Sequence, residues 1–165
     1  MTALDRALQR SLRAFLGYIK TSSWTGRENE AVSLYVLGFL QHECKGGGPL
    51  AHPTQIGIEV GASNSQNKGP NSQTRKDLVI WPEAGGNRWF PRGARTEPLA
   101  IMEWKVERTG FRSGRSNAKD RAWLARHCRD HPDTVGYAVQ LRLSTTPARL
   151  DVHRIDCKGE EPLPC

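Results

Sequence analysis

Residues 99–106 read Leu99-Ala100-Ile101-Met102-Glu103-Trp104-Lys105-Val106, and the reading of this octet decides the fold. Side chains alternate across a strand, so Ala100, Met102, Trp104 and Val106 share one face, which reads as core. Leu99, Ile101, Glu103 and Lys105 share the other. A carboxylate and an ammonium thus stand side by side at the end of an otherwise apolar strand. Charged groups in that setting are costly unless they pair or hold a ligand. For an isolated Glu-x-Lys a plain structural ion pair is the commoner explanation, so the case for chemistry must come from elsewhere in the chain.

The preceding strand supplies it. Asp77 opens the run Leu78-Val79-Ile80-Trp81, which Pro82 closes. If the two strands pair as an antiparallel hairpin, Asp77 sits beside Glu103. An Asp and a Glu converging there make an all-oxygen site suited to Mg²⁺, with Mn²⁺ the expected substitute. Such an ion polarises a phosphoryl oxygen and lowers the pKa of a bound water. Lys105 alongside would orient that water and offset the negative charge of the transition state. The structural alternative for Asp77 is a strand-start or turn residue.

Outward from these strands the pattern reads as helices, three strands, a helix and two strands. Leu4, Leu8, Leu12, Phe15, Leu16 and Ile19 fall on one stripe and predict a helix over 3–19. Thr25-Gly26-Arg27-Glu28 forms a capping box that opens a second helix, expected to run to about Cys44, where Gly46-Gly47-Gly48-Pro49 stops it. A strand over 55–60 precedes a polar loop over 61–75. After the octet, a helix over 117–131 leads into strands over 135–143 and 150–155. Hairpin-linked strands followed by a helical crossover imply an α/β domain with a mixed sheet flanked by helices.

The chain has 165 residues, which suits one domain, and 37% of them are hydrophobic, which argues against disorder, collagen and coiled coil. The apolar stretch Val32–Leu40 is too short and interrupted to span a bilayer. Cys44, Cys128, Cys157 and Cys165 form no C-x-x-C pair, and four unpaired thiols point to a reducing cytoplasm. His42-x-Cys44 and His127-Cys128-x-x-His131 lack a second pair at a supporting distance, so metal binding is not expected there.

The formal charge is +7, from 24 basic and 17 acidic residues. Residues 88–129 hold 11 of the basic residues and four of the acidic ones, so they carry the whole excess. A basic excess gathered in one segment is the electrostatic footprint of a nucleic-acid binder, although a solvated face explains it about as well. Within it, Arg88, Arg92 and Arg95 accompany Trp89 and Phe90 between the motif strands. Arg115 and Lys119 stand near the start of the later helix, where phosphate is favoured.

Arg75-Lys76-Asp77-Leu78-Val79-Ile80 followed by Ile101-Met102-Glu103-Trp104-Lys105 resembles the signature of the PD-(D/E)xK nuclease superfamily, with Lys76 where the name leads one to expect Pro. The resemblance covers about residues 25–143, leaving the first helix and the last strand as elaborations. It implies a restriction-endonuclease-like core of helix, three strands, helix and strand. It also implies a Mg²⁺-dependent endonuclease acting on DNA, double-stranded or branched, with a homodimer suited to cutting both strands. Asp77 and Glu103 would hold the metal and Lys105 would assist the water. An acidic residue on the preceding helix would support them, Glu28 or Glu30. Glu28 shares a face with Val32, Tyr35, Val36 and Phe39, the side a helix turns to a sheet, and is preferred. Two rival readings are a non-catalytic nucleic-acid-binding module that keeps the fold and a protein-interaction domain. Neither needs Asp, Glu and Lys at converging strand ends.

Overall fold

The computed structural model describes residues 1–63, 73–85, 97–108 and 117–165. The chain begins with α1 (Ala3–Ser22) and α2 (Glu28–Gly38), followed by the strands β1 (Ile56–Ser63), β2 (Gln73–Ile80) and β3 (Ala100–Glu107). Helix α3 (Ala118–Asp130) then crosses to β4 (Val135–Arg142), and β5 (Arg149–Asp156) and β6 (Gly159–Pro162) complete the chain. The six strands form one sheet in sequence order. All neighbours are antiparallel except β3 and β4, which run parallel with Ala100 opposite Val135 and Glu107 opposite Arg142. The protein is therefore α/β with a mixed sheet, as a crossover helix between parallel strands requires. Among the described residues no helix is long and apolar enough to cross a membrane.

Helices cover both faces. The stripe of α1 is buried as its spacing demands, and Phe15 meets Tyr35 of α2 and Trp104 of β3 edge to face. This larger core takes in Ala100, Met102 and Trp104, while Ile101 turns the other way to Leu124 of α3, Ala138 and Ile155. Each of the large buried side chains contributes roughly 1.5–3 kcal/mol of transfer free energy. One buried polar knot ties α1 to the sheet: Asp5 accepts from the Tyr137 hydroxyl at 2.6 Å and from Arg154 Nε at 3.0 Å.

Three readings are corrected. The loop expected over 61–75 is strand at both ends: β1 runs to Ser63 and β2 starts at Gln73, because the two pair through their backbones out to Ser63↔Gln73. Helix α2 starts at Glu28, not Thr25, and stops at Gly38, short of Cys44. The backbone N–H of Arg27 donates to the Glu30 carboxylate at 2.5 Å, so Glu30 fills the capping role expected of Glu28. A side chain at Gly26 would run into the Trp24 indole, so the glycine permits that close approach just ahead of the helix. Strand β6 was not expected, because Gly159-Glu160-Glu161-Pro162 has no apolar alternation. It pairs with β5 through its backbone, and Glu160 and Glu161 reach His153 and Arg154.

Candidate active site

The site forms where β2 and β3 part. Their ladder runs only through Ile80↔Ala100, Val79↔Ile101 and Leu78↔Met102. One residue further on, the Asp77 carboxylate accepts the Trp104 N–H at 2.7 Å and takes the place of a ladder carbonyl. Opposite Asp77 on the other side, Glu59 has φ +52° inside an otherwise continuous β1–β2 register, a left-handed conformation that a Glu rarely adopts in a strand. Alternation breaks at this point. Leu78 and Ile80 pack into the α1–α2 core, yet Lys76 reaches Glu103 and places its Nζ 3.2 Å from the centroid of the Trp123 ring on α3.

The neighbour in contact with Glu103 is consequently Lys76, not Asp77 as the hairpin register alone suggests. Lys76 Nζ donates to Glu103 Oε1 at 2.5 Å, and both side chains are buried. The position that departs from the PD motif is thus the one that neutralises the glutamate. Lys105 lies between two elements: its Nζ is 3.2 Å from Glu28 Oε1 on α2, 3.2 Å from Asp120 Oδ2 on α3, and donates to the Trp104 carbonyl at 2.7 Å. Glu28 is the first residue of α2, where the helix dipole favours a carboxylate. Of the two candidate glutamates on this helix, Glu28 faces Lys105 and Glu30 is turned to Arg27.

Burial is the largest influence on Glu103 and pushes its carboxyl up to about 7, against the pull of Lys76; Asp77 and Asp120 push in the same direction as burial. Burial also raises Glu28, with Lys105 opposing and Asp77 adding to the shift. Burial works against the charge on Lys105, but Glu28, Asp120 and Asp77 together outweigh it and hold its pKa above the ordinary lysine value. Lys105 is therefore a fixed positive charge and a hydrogen-bond donor. Glu28, Asp77, Glu103 and Asp120 thus set four carboxyl groups, two of them with raised pKa, around the ammonium groups of Lys76 and Lys105. A carboxylate has lone pairs left after one backbone bond, and an all-oxygen donor set is the kind Mg²⁺ takes; the three-residue group with ligand atoms within 4.8 Å among the described residues is Glu97, His127 and His131, away from these carboxylates.

A cleft of about 740 Å³ opens onto this region, lined among others by Arg27, Glu28, Glu59, Asp77, Val106 and Arg108. Of the residues expected to contact nucleic acid, Arg88, Arg92, Arg95 and Arg115 lie outside the described residues, as do Trp89 and Phe90. Lys119 is exposed on the first turn of α3. Gln140, opposite Lys105 on β4, donates to Glu107. Sequence reasoning missed Asp120, Glu59 and the contact of Lys76. Asp120 sits on the helix already assigned to this side of the sheet; its carboxylate carried no motif to single it out.

No protein-family model, curated protein or solved structure matches the chain.

Proposed function

We propose that the protein is a metal-dependent nuclease that hydrolyses phosphodiester bonds in DNA, on a restriction-endonuclease-like core of the PD-(D/E)xK type. The observation that carries the reading is that Glu28 from α2 and Asp77 from β2 line an open cleft, with Asp77 bonded to the backbone between Glu103 and Lys105 and Lys105 paired to Glu28. Asp77 and Glu103 would hold Mg²⁺, which when bound supplies a Lewis acid for a phosphoryl oxygen and a more acidic water. Lys105, charged and held by Glu28 and Asp120, donates to the attacking water or to a non-bridging phosphoryl oxygen and offsets the negative charge that develops there. Glu28 positions that ammonium. Its raised pKa and its place on the cleft also let it accept a proton from the water. Arg27 and Arg108 on the cleft are the described side chains suited to the backbone phosphates.

A non-catalytic nucleic-acid-binding module is the second reading, favoured by one observation: Lys76 already neutralises Glu103 at 2.5 Å. A cleavage panel separates the two. Duplex, branched and single-stranded DNA and RNA are incubated with the purified protein and Mg²⁺ or Mn²⁺. Metal-dependent cleavage of a DNA substrate supports the nuclease. Salt-sensitive binding with no cleavage of any substrate in either metal supports the binder.

A further inference from the structure

At the far end of α3 the helix carries His127, His131 caps it one turn on, and the chain entering β3 brings Glu97 beside them. His131 Nδ1 lies 3.1 Å from Glu97 Oε2. The rings of Trp123, His127 and His131 stack in a column, with centroids 4.8 Å and 4.4 Å apart. Each of Glu97, His127 and His131 brings one ligand atom within 4.8 Å of the others.

His127 is 2% exposed, and neither of its ring nitrogens has a hydrogen-bond partner; His131 Nε2 is also buried without one. A neutral imidazole presents one N–H and one lone pair, and buried polar groups of this kind are almost always satisfied. An ordinary core histidine or a Glu97–His131 ion pair would explain one of these rings but leaves the other nitrogens orphaned. We infer that Glu97, His127 and His131 form a binding site for a borderline transition-metal ion, Zn²⁺ the foremost candidate, separate from the carboxylate cluster at the opposite end of α3. Two imidazoles and one carboxylate are the donor set such ions select, whereas Mg²⁺ prefers oxygen alone.

With bonds of about 2.0–2.2 Å, a tetrahedral ion needs its ligand atoms roughly 3.4 Å apart. Glu97 Oε2 and His131 Nδ1 are already 3.1 Å apart, and the half-exposed Glu97 side chain offers an entry path. Cys128 is not the fourth ligand, since its Sγ is directed to the Ile155 carbonyl at 3.5 Å. Water fills that position. The ion joins the end of α3 to the chain entering β3, where Thr134 Oγ1 already donates to the Pro98 carbonyl at 2.7 Å. It thereby fixes the helix that presents Asp120 to Lys105 and Trp123 to Lys76.

The test uses tag-free, metal-stripped protein titrated with Co²⁺, whose visible d–d absorption reports tetrahedral nitrogen and oxygen ligation, followed by displacement with Zn²⁺. Wild type is expected to take up one equivalent and, at a Zn²⁺ concentration about 100 times Kd, to gain roughly 5–10 °C in Tm. His131→Ala and Glu97→Gln, both at partly exposed positions, should each weaken binding at least about tenfold, while Asp77→Asn keeps the full spectrum. Absence of d–d bands in wild type overturns the inference. So does full binding by both His131→Ala and Glu97→Gln, and so does its loss in Asp77→Asn, which would move the ion to the carboxylate cluster. None of these outcomes depends on nuclease activity.

Discussion

Replacing Glu103 with Gln should change how stability varies with pH, by an amount the site geometry sets. Glu103 is 5% exposed, and burial, with Asp77 and Asp120 pressing the same way, raises its carboxyl from the ordinary 4.5 to about 7 in spite of Lys76. Between those two values the folded protein holds a proton that the unfolded chain has released. Raising the pH through this window therefore favours unfolding. At about 1.4 kcal/mol per pH unit, the span from 4.5 to about 7 amounts to about 3 kcal/mol lost by pH 7. His127 acts in the opposite direction: burial first, then His131 and Lys76, lower its imidazole from 6.5 to about 4, while Asp130 resists. The unfolded chain then binds the extra proton, and stability rises with pH over that range. In wild type the two contributions largely cancel. In Glu103→Gln, whose amide oxygen still accepts from Lys76, the rise due to His127 is opposed by the raised Glu28 but no longer by Glu103. Urea denaturation at half-unit steps from pH 4.5 to 7.5, in chelator, gives the difference profile. Wild type should lose about 3 kcal/mol relative to the variant across the window. Parallel profiles for the two proteins would refute the buried, proton-holding Glu103 described above.

Other perturbations follow from the same contacts. Asp5→Ala strips the Tyr137 hydroxyl and Arg154 Nε of their shared acceptor and should cost about 2–4 kcal/mol by urea denaturation, with Asp5→Asn recovering part of it. Gly136→Ala would set a Cβ 3.1 Å from Leu124 Cβ, so Leu124 must give by a few tenths of an ångström; a loss of about 1–3 kcal/mol in the same assay is expected. Glu30→Ala removes the acceptor for Arg27 N–H and should lower the urea midpoint by the equivalent of about 1 kcal/mol, with Lys105 still paired to Glu28.

Much of this architecture was legible because apolar alternation reports burial. The octet from Leu99 to Val106, the run Leu78–Trp81 and the stripe from Leu4 to Ile19 each declare a buried face, and the structure places them in the core. The misread parts depend on contacts between segments distant in the chain or on local backbone geometry. Thr25-x-x-Glu28 satisfies a capping pattern, but the helix starts only at Glu28, and the Arg27 N–H takes Glu30 as its partner. The hairpin register puts Asp77 opposite Glu103, yet the left-handed turn at Glu59 and the bond from Trp104 N–H re-aim Asp77 and bring Lys76 inward. Period-two reasoning has no means of seeing such a break. His127 and His131 were set aside for want of a partner pair, and Glu97, the residue that completes the group, is brought to them by the fold.

The most direct test of the proposed chemistry is single-turnover cleavage of the preferred DNA substrate by wild type, Asp77→Ala and Lys105→Ala, with DNA binding measured in parallel without metal. If Asp77 holds the ion and Lys105 supplies the fixed positive charge, each variant loses roughly 100–1,000-fold in Mg²⁺-dependent rate and still binds DNA. Cleavage by both variants at the wild-type rate would contradict the assignment of these residues to the active site.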